Sequence, residues 1–600
     1  MTPMLLPALL ALASPAQEAV SNLSLVPADA LVVAHVDDLP ALRGAIAQSS
    51  FTRLLTAPDG LLPQADLGDL RTILDPAPTP EALAALPDEL RQVLEILSCL
   101  KGQATVYLTR PALGTEAGAS DEPVFGLLLE PKTSAAEFQA LMQRLVAAQE
   151  QITFVERGGM QAAVPTRSLI DPSAFEAGMI FANGHFALVG GDEAAPVKAE
   201  FERLLARLGG GAGQGIEQNP RFQAAQRSMS GPAQARFFVD LEPLVDLMMA
   251  EMEQDSMPMP AAMLMSRSGL EQFSYLSARM HIGALESTEF ELFMPYQQDT
   301  ILGMLLGNFG PASLEHLRRV PQDAINVSAG SFDVFGLYED GLSLADEIEE
   351  GMGEMARAQV DAASSFLGFD IEADLITQLA GPLVMYQPAR SATEPRDELR
   401  ELLASSGLDS VWLLSLREPE TVEGVLLDLV ELAAAESGEE FGLVEFAQGG
   451  RKLWRIEAGS AGELPLALGF SPAGEPNGVL AIGIDTNSVA KSLADPASSS
   501  TSVLDHQKLG PLLRANLGRG PLAVGDTART LQSFYEAISS LGAAAGALEG
   551  LGAESFGDGS ELEGWLSQAD PSAIGRYLSG TSLQVMETGS AGLRISYVTR

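Results

Sequence analysis

Val26-Pro27-Ala28-Asp29-Ala30-Leu31-Val32-Val33 recurs later in the chain as Val320-Pro321-Gln322-Asp323-Ala324-Ile325-Asn326-Val327. In both places a Pro-x-Asp-x tetrad leads into an apolar run that reads as a strand. Working outward, Leu100-Lys101-Gly102 with Tyr107 recurs as Leu379-Ala380-Gly381 with Tyr386. Leu128-Leu129-Glu130-Pro131 recurs as Leu416-Arg417-Glu418-Pro419, and Asn183-Gly184-His185-Phe186-Ala187-Leu188 as Asn477-Gly478-Val479-Leu480-Ala481-Ile482. Arg236 to Leu241 against Gly520 to Gly525 is a fifth, looser pair. The first four pairs keep their order at offsets of roughly 280 to 295 residues, the mark of an internal repeat.

Each copy reads alike. In the first, a strand over Ala30–Val36 leads to a helix over Leu39–Leu55. A helix over Asp88–Leu100 precedes strands over Gln103–Thr109 and Val124–Leu129. Ser134-Ala135-Ala136-Glu137 has the form of a capping box, and Phe138, Leu141, Met142 and Leu145 continue it at helical spacing. Asn183-Gly184 between two apolar runs predicts a type I′ hairpin, because both turn residues need positive φ. A helix over Asp192–Leu208 and strands over Phe273–Ile282 and Thr288–Met294 follow. The pattern predicts an α+β protein of two tandem, structurally similar units. Each is expected to be a mostly antiparallel sheet with helices packed on one face. The boundary is expected between Asn308 and Leu317, at Gly310-Pro311, giving units over 20–312 and 313–600. Gly209–Gly215, Ser498–Ser502 and Pro76–Pro80 read as loops.

Composition limits the function. With 80 acidic against 36 basic residues the net charge is −44, so nucleic acid and anionic lipid are repelled. Apolar residues make up 46% of the 600, enough for sizeable cores rather than disorder. Cys99 is the one cysteine, so no intramolecular disulfide forms; its apolar helical setting suits a buried thiol rather than a nucleophile. The apolar run Met4–Ala13, followed by small residues, is expected to be a signal peptide over residues 1–16. Nothing later has the length of a transmembrane segment. The expected location is extracytoplasmic, in the periplasm or secreted.

The two tetrad-and-strand segments, Val26–Val33 and Val320–Val327, resemble the opening strand of uncharacterised exported bacterial proteins grouped as domains of unknown function. The resemblance implies extracytoplasmic placement and carries no chemistry.

Ser488-Val489-Ala490-Lys491 fits Ser-x-x-Lys, but without a following Lys-Thr-Gly it reads as a helix start. His35, His185, His281, His316 and His506 share no metal-binding spacing. Asp558–Glu563 lacks the full calcium-loop template, and Gly209–Gly215 lacks the Lys-Ser/Thr of a phosphate loop. Asp346, Glu347, Glu349, Glu350 and Glu354 fit the solvated face of a helix; Asp37-Asp38 closes a strand. The methionines of 248–265 (Met248, Met249, Met252, Met257, Met259, Met263, Met265) suit core packing, a partner surface or copper(I). No catalytic, cofactor-binding or metal residue is assigned. The expected function is a non-enzymatic scaffold or binding protein with an unknown protein or envelope ligand. The alternative is a hydrolase with dispersed carboxylates at the junction of the copies.

Overall fold

The Pro-x-Asp-x tetrads fold as tight turns. The Ala30 amide donates to the Pro27 carbonyl, and the Ala324 amide to the Pro321 carbonyl, each at 3.2 Å. Proline is the first residue of each turn, and the acidic residue is exposed at its second corner, after Ala28 or Gln322. Ala30 and Ala324, the last residue of each turn, are both buried to 0%; the first strand starts on Ala30 itself, whereas the second starts two residues after Ala324, at Asn326.

The computed structural model describes residues 21–57, 59–61, 72, 79–109, 123–131, 134–147, 152–211, 213–229, 231–246, 268–269, 273–283, 287–389, 410–437, 441–458, 463–472, 478–495, 501–533, 535 and 569–600. They fall into two compact units. The first holds the described residues within 1–47, 72–253 and 273–282; the second holds those within 48–71, 254–272 and 283–600.

The first unit contains β1 (Ala30–Val36), β2 (Leu100–Thr109), β3 (Phe125–Pro131), β4 (Ile152–Arg157), β5 (Met160–Pro165), β6 (Ala177–Ala182), β7 (His185–Gly190), β8 (Ala235–Asp240) and β9 (Tyr275–Ile282). They pair antiparallel in the order β4-β5-β6-β7-β3-β2-β1-β8-β9. Its helices include α1 (Asp88–Ser98), α2 (Ala135–Ala147), α3 (Ala194–Leu208) and α4 (Pro220–Ser228).

The second unit begins with β10 (Thr288–Met294) and the two-residue β11 (Phe309–Gly310). It continues with β12 (Asn326–Asp333), β13 (Ala380–Gln387), β14 (Val411–Leu416), β15 (Phe441–Gln448), β16 (Arg451–Ala458), β17 (Glu463–Phe470), β18 (Gly478–Gly483), β19 (Leu522–Asp526), β20 (Thr581–Gly589) and β21 (Gly592–Thr599). These pair antiparallel in the order β15-β16-β17-β18-β14-β13-β12-β19-β20-β21-β10, with β11 against the end of β12. The order from β15 to β20 is the order of β4 to β9 in the first unit. Its helices include α5 (Leu314–Leu317), α6 (Val334–Ile348), α7 (Met352–Leu367), α8 (Pro419–Ser437), α9 (Thr486–Ser492) and α10 (Leu509–Asn516).

Local chemistry fixes the hairpins. Asn183 (φ 50°) and Gly184 (φ 80°) close β6 on β7 in the left-handed region, as a type I′ turn requires. Gly158-Gly159 (φ 60° and 78°) and Gly449-Gly450 (φ 58° and 76°) do the same for β4–β5 and β15–β16. The Ser134 hydroxyl accepts from the Glu137 amide at 3.3 Å while the Glu137 carboxylate accepts from the Ser134 amide at 3.0 Å, the reciprocal cap expected. The helix expected over Leu39–Leu55 is broken: Ser49 caps a second helix by accepting from the Thr52 amide, so Leu39–Gln48 and Ser50–Thr56 are separate.

Helices pack on both faces of the strands of each unit, which corrects the expectation of one. In β18, Val479 and Ala481 pack with Val489 of α9, whereas Leu480 and Ile482 pack with Val422 of α8. Alternate residues of a strand point to opposite faces, so α8 and α9 lie on opposite sides. In β6, Phe181 packs with Phe138 of α2, their rings 6.3 Å apart, while Gly178 lies against the Phe201 ring of α3 on the other side. The cause is the unbroken apolar runs Phe186-Ala187-Leu188-Val189 and Val479-Leu480-Ala481-Ile482, which present apolar side chains in both directions.

A tyrosine on the second strand of each core ties the sheet to a helix. Tyr107 donates to the buried Glu200 of α3 at 2.5 Å, and Arg203 closes on the same carboxylate with its Nε at 2.5 Å. Burial, then the Glu200 charge, push the Tyr107 phenol far up, so it stays a neutral donor. In the second unit Tyr386 bonds the Ser492 hydroxyl at 2.7 Å and the Ser488 carbonyl at 3.1 Å, both on α9. The first tie is ionic and the second neutral. Glu200→Ala is therefore expected to cost about 3 kcal/mol by leaving Arg203 without its carboxylate, whereas Tyr386→Phe should cost about 1 kcal/mol. Urea unfolding midpoints of the two variants check this; equal losses contradict it.

Candidate functional site

The second tetrad turn lines a cleft of about 890 Å³. Separate pieces of chain bring its walls together. Arg318 and Arg319 follow α5, Lys491 stands in the last turn of α9, His506 and Lys508 precede α10, Asp526 ends β19, and Arg529 comes just after it. Backbone bonds lock these pieces to the turn: the Val503 amide donates to the Val320 carbonyl, and the Asp526 amide to the Ile325 carbonyl, each at 2.9 Å.

Five basic side chains and two carboxylates, Asp323 and Asp526, line this cleft. Asp526 is 5% exposed and is met by Lys508 Nζ at 3.1 Å, which also donates to the Ser579 carbonyl at 2.8 Å. Arg319 is also 5% exposed and donates to the Ala494 carbonyl at 3.3 Å. Arg318, Lys491 and Arg529 are exposed and have no carboxylate partner among the described residues. His506 Nδ1 accepts from the Lys508 and Leu509 amides at 3.1 and 3.2 Å. An acceptor Nδ1 places the ring proton on Nε2. Burial, then the Arg529 charge, hold the His506 pKa down against the pull of Asp526, so the ring enters the wall as a neutral donor.

The first tetrad turn has a cleft of about 360 Å³. Asn219 caps α4 by accepting from the Arg221 amide at 2.8 Å and donates to the Ala28 carbonyl at 2.7 Å, holding the helix start on the turn. Here Arg221 is the basic lining residue. It bonds Asp240, the last residue of β8, at 2.8 Å and also Glu242. A cation at a helix start meeting the aspartate at a strand end is common to both clefts: Arg221–Asp240 and Lys508–Asp526. In the first cleft the carboxylates Asp29 and Asp240 outnumber the one cation; the second carries a surplus of cations.

The residues singled out by sequence are dispersed. Ser488 is 4% exposed, and its hydroxyl and amide both bond Asp485, the N-cap of α9. It serves the helix start, while Lys491 of the same motif faces the cleft. His35 is buried between Thr105 (2.8 Å) and Asp37 (3.2 Å). Burial raises the Asp37 pKa, but His35 and then Arg236, at 2.7 Å, outweigh it and leave the carboxyl below its ordinary range. His185 Nδ1 meets Asn22 Oδ1 at 2.9 Å, and His281 stands on β9. Asp38 accepts from the Ala41 amide at 2.9 Å, and Asp346 from the Gly353 amide at 2.7 Å. Cys99 is a half-buried free thiol at the end of α1. Met248–Met265, Asp558–Glu563 and the residue 1–16 segment lie outside the described residues. Among the described residues no group of three or more His, Cys, Asp or Glu could hold a metal ion, and no helix is long and apolar enough to cross a membrane.

Sequence reading missed two features. One is the basic cleft, whose trace is the doublet Arg318-Arg319, separated from the second tetrad by Val320; Ser24-Leu25 holds that place before the first. The other is a buried Ser415–His316 pair, joined by a hydroxyl to Nε2 hydrogen bond between residues 99 apart. His316 Nδ1 has no hydrogen-bond partner, so the pair lacks the acid of a triad. No protein-family model, curated protein or solved structure matches the chain.

Burial, then the charge of Arg319, lower the His316 pKa to about 4. The unfolded histidine takes up a proton near pH 6.5, the folded one only near 4, so acidification across that window favours unfolding. The effect approaches ~3 kcal/mol at the acid end. In urea titrations the stability gap between the native chain and His316→Gln should narrow as pH falls from 7 to 4. A gap constant across that range contradicts this.

Proposed function

We propose that the chain is an exported, non-enzymatic binding protein built from two copies of one α+β unit, with its ligand held in the cleft at the Pro321–Ala324 turn. One observation carries the reading. The cleft is of ligand size and open, with charged side chains converging from four pieces of chain. The pairs with the makings of chemistry, half-buried Ser488–Asp485 and buried Ser415–His316, are occupied by structural bonds.

Descent from one unit is supported by the common strand order, the paired Pro-x-Asp-x turns, the matching Gly-Gly hairpins and the cation–aspartate pair in each cleft. The apolar run Met4–Ala13 and the excess of acidic residues support export to a compartment where solubility rests on surface charge.

The test is a thermal-shift screen of the full chain against fractionated small molecules from cell envelopes. At least one fraction should raise Tm, because a ligand that binds only the folded state stabilises it. The bound compound, identified by mass spectrometry, should be recovered unchanged after prolonged incubation. Its conversion to a product contradicts the non-enzymatic reading. Absence of a shift across the fractions contradicts binding of a small ligand.

A further inference from the structure

The two clefts occupy the same place in the fold and differ in charge. In the first, Arg221 is held by Asp240 and Glu242. In the second, the Lys508–Asp526 pair is kept, and Arg318, Lys491 and Arg529 add three cations without carboxylate partners among the described residues. This occurs in a chain where acidic residues outnumber basic ones 80 to 36, so a carboxylate could readily have stood beside each of them. Like charges converging on one cavity repel one another and destabilise the folded state unless a counter-charge enters. That counter-charge is not supplied by the cleft's own carboxylates: Asp526 is engaged by Lys508, and Asp323 alone faces three cations.

The geometry points to the second cleft as a binding site for a soluble small polyanion carrying phosphate groups, and this rests on the binding-protein reading above. The cations come from the end of α5, the last turn of α9, the approach to α10 and the stretch after β19, so they surround the cavity rather than converge on one point. A ligand that answers them carries several negative oxygens spread over its length. Guanidinium groups present forked donors that match the oxygens of phosphate. His506 adds a neutral Nε2 donor whose tautomer is fixed by the Lys508 and Leu509 amides. At about 890 Å³ the cleft exceeds the needs of a single inorganic ion. The net charge of −44 opposes approach to an anionic membrane, which favours a free solute over a lipid headgroup.

The experiment is isothermal titration calorimetry of the full chain with inorganic pyrophosphate and tripolyphosphate, and with citrate as a carboxylate polyanion. Tripolyphosphate should bind more tightly than pyrophosphate, both more tightly than citrate, and binding should weaken as salt is raised. Lys491→Glu with Arg529→Glu should lower the affinity at least about tenfold, since each lost charge-assisted contact is worth on the order of a factor of ten. Lys101→Glu, a surface reversal in the first unit, controls for net charge and should leave binding unchanged. Circular dichroism and Tm confirm that the double variant is folded.

Absence of phosphate binding at millimolar concentration overturns the inference, as does equal binding by the double variant. Citrate binding as tightly as tripolyphosphate overturns the phosphate assignment. Co-sedimentation with phosphatidic-acid vesicles that the double variant loses overturns the soluble source. If the polyanions fail while an envelope fraction still shifts Tm, the charge inference falls and the binding-protein reading stands. If neither acts, both fall.

Discussion

Both cores start from one hydrogen bond, donated across a four-residue turn to a proline carbonyl: Ala30 to Pro27 and Ala324 to Pro321. The bond sets the point at which the chain becomes a strand, and with it which residues face which layer. Because side chains alternate along a strand, a slip of one residue would turn Val33, His35 and their neighbours to the wrong face. The turn also carries a second group of bonds. Its flanking carbonyls, Val26 and Val320, accept from Ile216 at 3.0 Å and Val503 at 2.9 Å, which tie the turn to a segment far away in sequence. Each cleft is the space left where that distant segment, the turn and the end of β8 or β19 meet.

Within that common frame the two units resolve charge differently. The first buries an ionic tie, Tyr107–Glu200–Arg203, and balances Arg221 at its cleft. The second uses a neutral tie, Tyr386–Ser492, and leaves its cleft cationic. Desolvation accounts for the contrast: a buried carboxylate needs a cation within reach, and Arg203 stands three residues from Glu200 on α3. At the second cleft Arg318, Lys491 and Arg529 are exposed, so water offsets part of their repulsion and a ligand can offset the rest.

Much of the architecture was legible in sequence because it rests on local rules. Asn183-Gly184 requires positive φ, Ser134 and Glu137 satisfy each other's amides, and the Pro-x-Asp-x tetrads mark the turns. What was not legible depends on long-range placement. The apolar run Phe186–Val189 was read as one strand, but only the three-dimensional fold shows that α2 and α3 pack on its two sides. The break at Ser49 is a cap that a continuous helical pattern conceals. The cleft joins residues from Arg318 to Arg529, and its cations are single letters scattered through an acidic chain. Only Arg318-Arg319 is adjacent in sequence, and a basic doublet by itself specifies no site.

The central claim is that the surplus of cations at the Pro321–Ala324 turn is completed by a bound anion, and a structure of the full chain with a heavy-atom phosphate analogue tests it most directly. Tungstate diffused into crystals should give anomalous density among Arg318, Lys491 and Arg529, and none beside Arg221. Density at Arg221 as strong as at Arg529, or none in the second cleft, would contradict the account.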